Sequence, residues 1–153
     1  MSVRLGNLTP RSLFRGLAVA EAITWALLLT GMFLKYVTET TELGVQVFGM
    51  VHGVVFIAYC LVTLLVAIDQ RWSLGRLVIG LVAAVPPFAT LLFEWYADRR
   101  GLLGDEWLSR HDSPTAPQRA ACWLLRHHRL TAGLFVVAVA GLTGAALLAG
   151  PPA

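Results

Sequence analysis

Two ionisable side chains lie inside long apolar stretches of the sequence, and these are the residues best able to do chemistry. Glu21 lies within residues 14–34, and His52 lies within residues 45–68. A carboxyl group beside an imidazole can bind and exchange a proton. The same two groups can instead form an interhelical hydrogen bond that fixes helix packing. Contact with a lipid headgroup or a quinone is a third use, and the sequence leaves all three open.

The elements that must position these side chains are four apolar stretches, at residues 14–34, 45–68, 74–93 and 131–150. A helix of about 20 residues crosses a hydrocarbon core of about 30 Å. The chain is 57% hydrophobic and 14% charged, with a mean hydropathy of +0.69, which leaves too little polar material to cover a water-soluble globule. The stretches lack the alternating polarity of barrel strands. We therefore predict an all-α, polytopic membrane helical bundle with about four transmembrane segments.

The first two stretches are predicted to pack as antiparallel neighbours. With about 1.5 Å of rise per residue, the depths of Glu21 and His52 should differ by about 8 to 10 Å, a gap that tilt, side-chain length or one water molecule can close. Small residues that permit close helix approach flank both groups. They are Gly49 and Gly53 on the second stretch, and Ala18, Ala22 and Ala26 on the first.

The third stretch contains the pair Pro86-Pro87, which removes two helix hydrogen-bond donors. Because about 20 apolar residues suffice to span, we expect a kinked but complete crossing. The alternative is a re-entrant hairpin, which would leave all eleven arginines on one side of the membrane. A complete crossing would place Lys35 and Glu94 at the same end, where they could form an ion pair or extend to headgroups.

These features divide the chain into three parts. Residues 1–97 form a three-span membrane core, residues 98–130 a polar loop with an interfacial amphipathic helix at 118–129, and residues 131–153 a fourth transmembrane helix with a short tail.

Several classes of function find no support in the sequence. His111, His127 and His128 lack the spacing of a zinc site. No second histidine lies within a span to ligate haem with His52. No nucleophile is arranged with a base in a known motif, and the arginines of the connecting segments suit anionic headgroups, not nucleic acid. We expect no enzyme activity, no cofactor, no metal and no nucleic-acid partner.

Several short segments together resemble a known family. They are LAVAEAITWALLL at 17–29, LKY at 34–36, VHG at 51–53, RWS at 71–73, and PFAT at 87–90 followed by FE. In this order they resemble a family of small bacterial integral membrane proteins of unknown function, marked by an intramembrane His-Gly motif. The resemblance covers about residues 12–97, and it implies helical spans without a mechanism. The chain departs from the family pattern at Ala22 and Ala89, where glycine is usual.

Two functions remain from the sequence. The first is a small non-catalytic membrane component whose partners are the lipid bilayer and other transmembrane helices, in a homo-oligomer or a larger complex. The second is a carrier or channel for protons or small ions that uses Glu21 and His52. A chain of this size is near the lower limit for enclosing a transport path alone, which favours the first.

The distribution of basic residues predicts a multi-pass protein of the cell membrane with a cytoplasmic N-terminus. Arginines precede the first stretch and separate the second from the third, whereas only Lys35 lies in the first connection. Cysteine-accessibility labelling at Ser2 and Glu39 should therefore modify position 39 from outside intact cells. Labelling of position 2 from outside would contradict this orientation.

Overall fold

The computed structural model describes residues 9–107 and, beyond them, only isolated positions. Residues 9–107 form four helices and no strand, which confirms the predicted all-α class. The helices are α1 (Pro10–Tyr36), α2 (Leu43–Asp69), α3 (Leu74–Val82) and α4 (Ala89–Arg99). Two of them, α1 and α2, are long and apolar enough to cross a membrane. The predicted interfacial helix and fourth span lie outside the continuously described residues.

The start of α1 is fixed by its local sequence. Thr9 is the N-cap, and its side chain accepts a hydrogen bond from the backbone N–H of Ser12 while the Ser12 hydroxyl accepts from the N–H of Thr9. This reciprocal pair satisfies two donors that a helix start otherwise leaves without partners. Pro10 follows at the first helical position, where its missing N–H costs nothing.

The two long helices pack as an antiparallel hairpin. Phe14 of α1 contacts Tyr59 of α2, with ring centroids 5.5 Å apart. Toward the other end Gly31 approaches Gly44 so closely that a Cβ on Gly31 would lie 2.7 Å from the Gly44 carbonyl carbon. We call the end where α1 begins and α2 ends the base of the bundle.

The third apolar stretch folds back on itself and does not form the kinked, continuous crossing expected from its length. The helix stops at Val82, and a new one begins at Ala89. Between them Pro86 and Pro87 supply no N–H, and Phe88 takes a left-handed backbone conformation with φ of 64°. The Phe93 ring consequently lies against Gly80, which a straight helix would hold about 20 Å away.

The α3–α4 hairpin packs against α1 and extends along only part of α1. The Trp25 indole N–H donates to the Ala84 carbonyl over 3.4 Å, and the Thr90 hydroxyl donates to the Ala18 carbonyl over 3.2 Å. The turn therefore lies about 22 Å along a helix about 40 Å long. From there α4 returns to the base, so α3 begins and α4 ends at the same end of the bundle.

At the base, aromatic rings and Arg11 connect the helices with one another and with the segment that follows α4. The rings of Phe14, Trp72 and Phe93 contact one another at centroid distances of 5.7 to 6.1 Å. The segment after α4 crosses beneath them, where the Trp72 indole N–H donates to the Leu102 carbonyl over 2.8 Å. Arg11 pairs with Asp98 at 2.9 Å and with Asp105 at 3.3 Å, and it also donates to the Leu103 carbonyl.

The hairpin also gathers basic residues at the base. Helix ends at or near the base carry Arg11, Arg15, Arg71, Arg76, Arg99 and Arg100. Among residues 9–107, the opposite end carries one cation, Lys35, which pairs with Glu42 at 3.5 Å.

The approach of Gly31 to Gly44 yields a stability prediction. Gly31→Ala forces the two backbones apart, so we expect it to lower the free energy of unfolding by about 1 to 3 kcal/mol. Gly16→Ala is the control, because a Cβ there has no atom within 4 Å. Thermal unfolding in one detergent measures both variants, and equal midpoints for Gly31→Ala and Gly16→Ala would contradict the close approach.

Candidate functional site

The side chain of Glu21 is fully buried in the helical bundle. It lies on the same face of α1 as Phe14, Ala18 and Ala22, which are also buried. Neither carboxyl oxygen has a hydrogen-bond partner among the described residues. Helical periodicity therefore places the carboxyl of Glu21 on the same buried face as Phe14.

His52 lies beside this carboxyl but does not hydrogen-bond to it. The His52 Nδ1 is 3.8 Å from Glu21 Oε2, beyond hydrogen-bonding distance. It is 3.1 Å from the hydroxyl of Thr24, which also lies 3.0 Å from the main-chain carbonyl of Glu21. The interhelical hydrogen bond at this level thus joins α2 to Thr24.

The Thr24 hydroxyl can serve either neutral form of the imidazole. It has one hydrogen, so it donates to one acceptor at a time. When it donates to the Glu21 carbonyl, the His52 Nδ1 must carry a hydrogen to complete the second bond. When it turns to Nδ1, that nitrogen acts as the acceptor. The histidine can change tautomer here without losing its partner.

Aromatic rings surround the imidazole. The ring centroid of Trp25 is 4.6 Å from that of His52, and the centroid of Phe56 is 6.3 Å away. The His52 side chain retains 12% of its exposure, whereas that of Glu21 retains none. The imidazole therefore lies between the buried carboxyl and the surroundings of the bundle.

The turn of the α3–α4 hairpin lies at the level of this site. Glu21 falls between Ala18 and Trp25, the two α1 residues that hydrogen-bond to the hairpin. Helix ends inside a membrane present backbone groups that can bind ions or polar ligands, and such breaks are used in this way in transporters. Here the break lies beside an acid and an imidazole.

The charged residues at the span ends do not form the pairing that a complete third crossing would allow. Glu94 lies at the base and pairs with Arg15 at 3.7 Å. Lys35 pairs with Glu42 at the other end of α1. The fold-back of α4 separates Lys35 from Glu94, because it carries Glu94 to the opposite end of the bundle.

The small residues chosen from the sequence have different surroundings. Ala18 and Ala22 are buried, whereas Ala26 is exposed. A Cβ on Gly49 would touch only a Leu28 methyl at 3.8 Å, and one on Gly53 would meet nothing within 4 Å. The close backbone approach lies farther from the base, at Gly31 and Gly44.

Thr24 and Trp25 also belong to the site, although the sequence did not indicate them. Thr24 is three positions after Glu21, so helical spacing alone places it on the same face. The contact of Trp25 with His52 depends on how α1 packs against α2, and its hydrogen bond to Ala84 depends on the α3–α4 hairpin, so neither has a local signal. Among the described residues no three His, Cys, Asp or Glu side chains are grouped for a metal ion. The side chains of Glu21, Thr24 and His52 can form hydrogen bonds and bind a proton.

Comparisons with known proteins place these helices in a family. The family model described as a domain of unknown function, DUF3817, matches residues 11–99, nearly the range from α1 to α4. A putative membrane protein of Streptomyces coelicolor is 57% identical over 91 residues, which are 59% of this chain and 11% of that protein. The uncharacterized membrane protein YdzA of Bacillus subtilis is 33% identical over 87 residues, 56% of this chain and 90% of that protein. No solved structure matches the chain.

The Thr24 hydroxyl should contribute measurably to the packing of α1 against α2. Thr24→Val keeps the shape but removes the bond to His52, so we expect a loss of about 0.6 to 2 kcal/mol in unfolding free energy. Thr30→Val is the control, because the Thr30 hydroxyl bonds only within its own helix, to the Ala26 carbonyl. Thermal unfolding of both variants in one detergent measures the difference. Equal losses would show that the interhelical bond adds nothing.

Proposed function

The chain belongs to the DUF3817 family of membrane proteins, and we propose that it is a non-catalytic membrane component that associates with other transmembrane helices, as a homo-oligomer or within a larger complex. One observation carries this proposal. The matched unit makes up 90% of the Bacillus relative but only 11% of the Streptomyces protein. A matching region of similar length therefore makes up nearly all of one relative and a small part of a much longer membrane protein, which favours a role beside other membrane segments.

The distribution of apolar side chains supports this role. At the base, four helices and the following segment cover one another. Beyond the hairpin turn, α1 and α2 continue alone, and large apolar side chains there are exposed: Leu27, Leu29, Phe33, Val47, Met50 and Val51. In a bilayer these side chains contact lipid or further helices. This half of the α1–α2 pair is the surface on which we expect association.

We further propose that the protein lies in the cell membrane with the base on the cytoplasmic side and the α3–α4 hairpin re-entrant from that side. The arginines gathered at the base support this orientation, because basic residues near short connections favour the cytoplasm. The hairpin removes the conflict that a complete third crossing would create, since Arg99 and Arg100 then lie at the same end as Arg11.

A proton- or ion-coupled carrier is the second candidate. It is favoured by the buried Glu21 carboxyl, which has no hydrogen-bond partner among the described residues. Ionisable groups inside membrane segments commonly mark ion or proton pathways. Two long helices and a half-length hairpin do not enclose a pathway by themselves, so this candidate also requires several copies or further helices.

Native mass spectrometry of the full chain, extracted in mild detergent, tests the first proposal. We expect a complex of fixed stoichiometry, with a second copy or a membrane partner. Phe33→Ala, together with Met50→Ala, should weaken that complex, because both side chains lie on the proposed surface. Leu92→Ala is the control, since Leu92 is exposed on α4.

A monomer as the only species would contradict association. Reconstitution into liposomes separates the two candidates, since we expect no pH-driven proton flux. A flux that is abolished by Glu21→Gln would favour the carrier.

A further inference from the structure

The buried carboxyl of Glu21 needs a positive partner or a proton. An ionised carboxylate without hydrogen-bond donors is among the least favourable groups to bury. Both Glu21 oxygens are buried and have no hydrogen-bond partner among residues 9–107. The basic side chain nearest along α1 on the base side, Arg15, pairs with Glu94. The nearest basic group is the His52 imidazole, whose Nδ1 is 3.8 Å from Oε2 and too far for a hydrogen bond, so no donor among the described residues satisfies the carboxyl as it stands.

A metal ion fits the surroundings less well than a proton. Sodium, calcium and magnesium are bound by several oxygen ligands at once, and no group of three metal-ligating side chains occurs among the described residues. The Glu21 side chain is packed with no exposed surface. A proton requires no additional space, because it forms the O–H bond of the neutral acid.

His52 connects the Glu21 carboxyl with the exterior of the helical bundle. Its Nδ1 is 3.8 Å from Glu21 Oε2, so a movement of about 1 Å brings the two atoms to hydrogen-bonding distance. Its side chain is partly exposed, and Thr24 can accept from it or donate to it. Imidazole is the side chain best suited to take up and release protons near neutral pH.

We propose that Glu21 is a proton-binding site and that His52 is the group through which its proton enters and leaves. The proton leaves Oε2, and the O–H electron pair stays on the carboxylate. The imidazole takes up the proton at Nδ1 when Nδ1 carries no hydrogen. The imidazolium then gives the hydrogen of Nε2 to a water molecule at the exposed side of the ring, which leaves a neutral ring of the other tautomer. One proton is lost overall, and uptake reverses these steps.

The other titratable groups around Glu21 do not replace His52 in this role. On α2, Tyr59 and Cys60 carry a phenol and a thiol, groups that are ordinarily neutral near pH 7, and the Tyr59 hydroxyl donates to the Gly80 carbonyl. Glu94 and Asp98 of α4 pair with arginines at the base. The only titratable side chain of α3 is Arg76, in its first turn.

Infrared spectroscopy of the full-length protein in lipid tests the site without requiring a reagent to reach it. The wild-type spectrum minus that of Glu21→Gln should show the carbonyl band of one protonated carboxylic acid near neutral pH, and this band should shift in D₂O. Glu94→Gln is the control, because Glu94 is buried but paired with Arg15, so its difference spectrum should show a lost carboxylate. A lost carboxylate for Glu21→Gln would overturn the proposal. So would disappearance of the acid band on adding Na⁺ at constant pH.

The rate of hydrogen–deuterium exchange of that band tests the role of His52. We expect His52→Phe to slow the exchange by at least about tenfold. Phe56→Leu alters one of the two aromatic rings that contact the imidazole, and it should leave the exchange rate unchanged. His52→Gln is the second variant if His52→Phe does not fold. Exchange at the wild-type rate in a folded His52 variant would overturn the proposed route.

Discussion

A chain that reverses direction in apolar surroundings must satisfy the peptide groups of its turn without water. The α3–α4 hairpin satisfies several of these groups within a few residues. The N–H groups of Ala84 and Val85 bond to the carbonyls of Leu81 and Val82, and that of Ala89 bonds to the carbonyl of Pro86. The two prolines have no N–H to satisfy, and the Trp25 indole takes the carbonyl of Ala84. The contacts of α4 with residues distant in sequence form only because this turn brings α4 back beside α1.

The turn also explains the composition of the base. Because α4 returns beside α1, Phe93 reaches Phe14 and Trp72, and the segment that follows reaches Arg11. Gly80 permits this packing, since a Cβ there would lie 2.9 Å from the Phe93 ring. A glycine on α3 thus sets how closely the two halves of the hairpin approach.

The sequence predicted the long elements well and the hairpin poorly, for a physical reason. Apolar length and periodicity are local properties, and they locate α1 and α2 to within a few residues and place Glu21 and His52 within about 10 Å of each other in depth. The choice between a crossing and a fold-back depends on contacts distant in sequence, such as Trp25 with Ala84. Residues 74–93 satisfy the length rule equally in both cases. The Gly31–Gly44 approach and the Thr24–His52 bond likewise depend on the rotation of α1 against α2, which spacing along one helix does not determine.

The ion pair between Arg11 and Asp98 joins the first and last helices of the region that the family model matches. The two ends of this region lie side by side at the base. A unit built in this way can be inserted into a longer polypeptide with little disturbance, because the flanking chain leaves close to where it entered. In the proposed orientation the unit starts and finishes on one face of the membrane, so it leaves both flanking segments on the same side. A unit with these properties could be accommodated in proteins of very different length, and the regions similar to this chain make up 90% of the Bacillus protein and 11% of the Streptomyces protein.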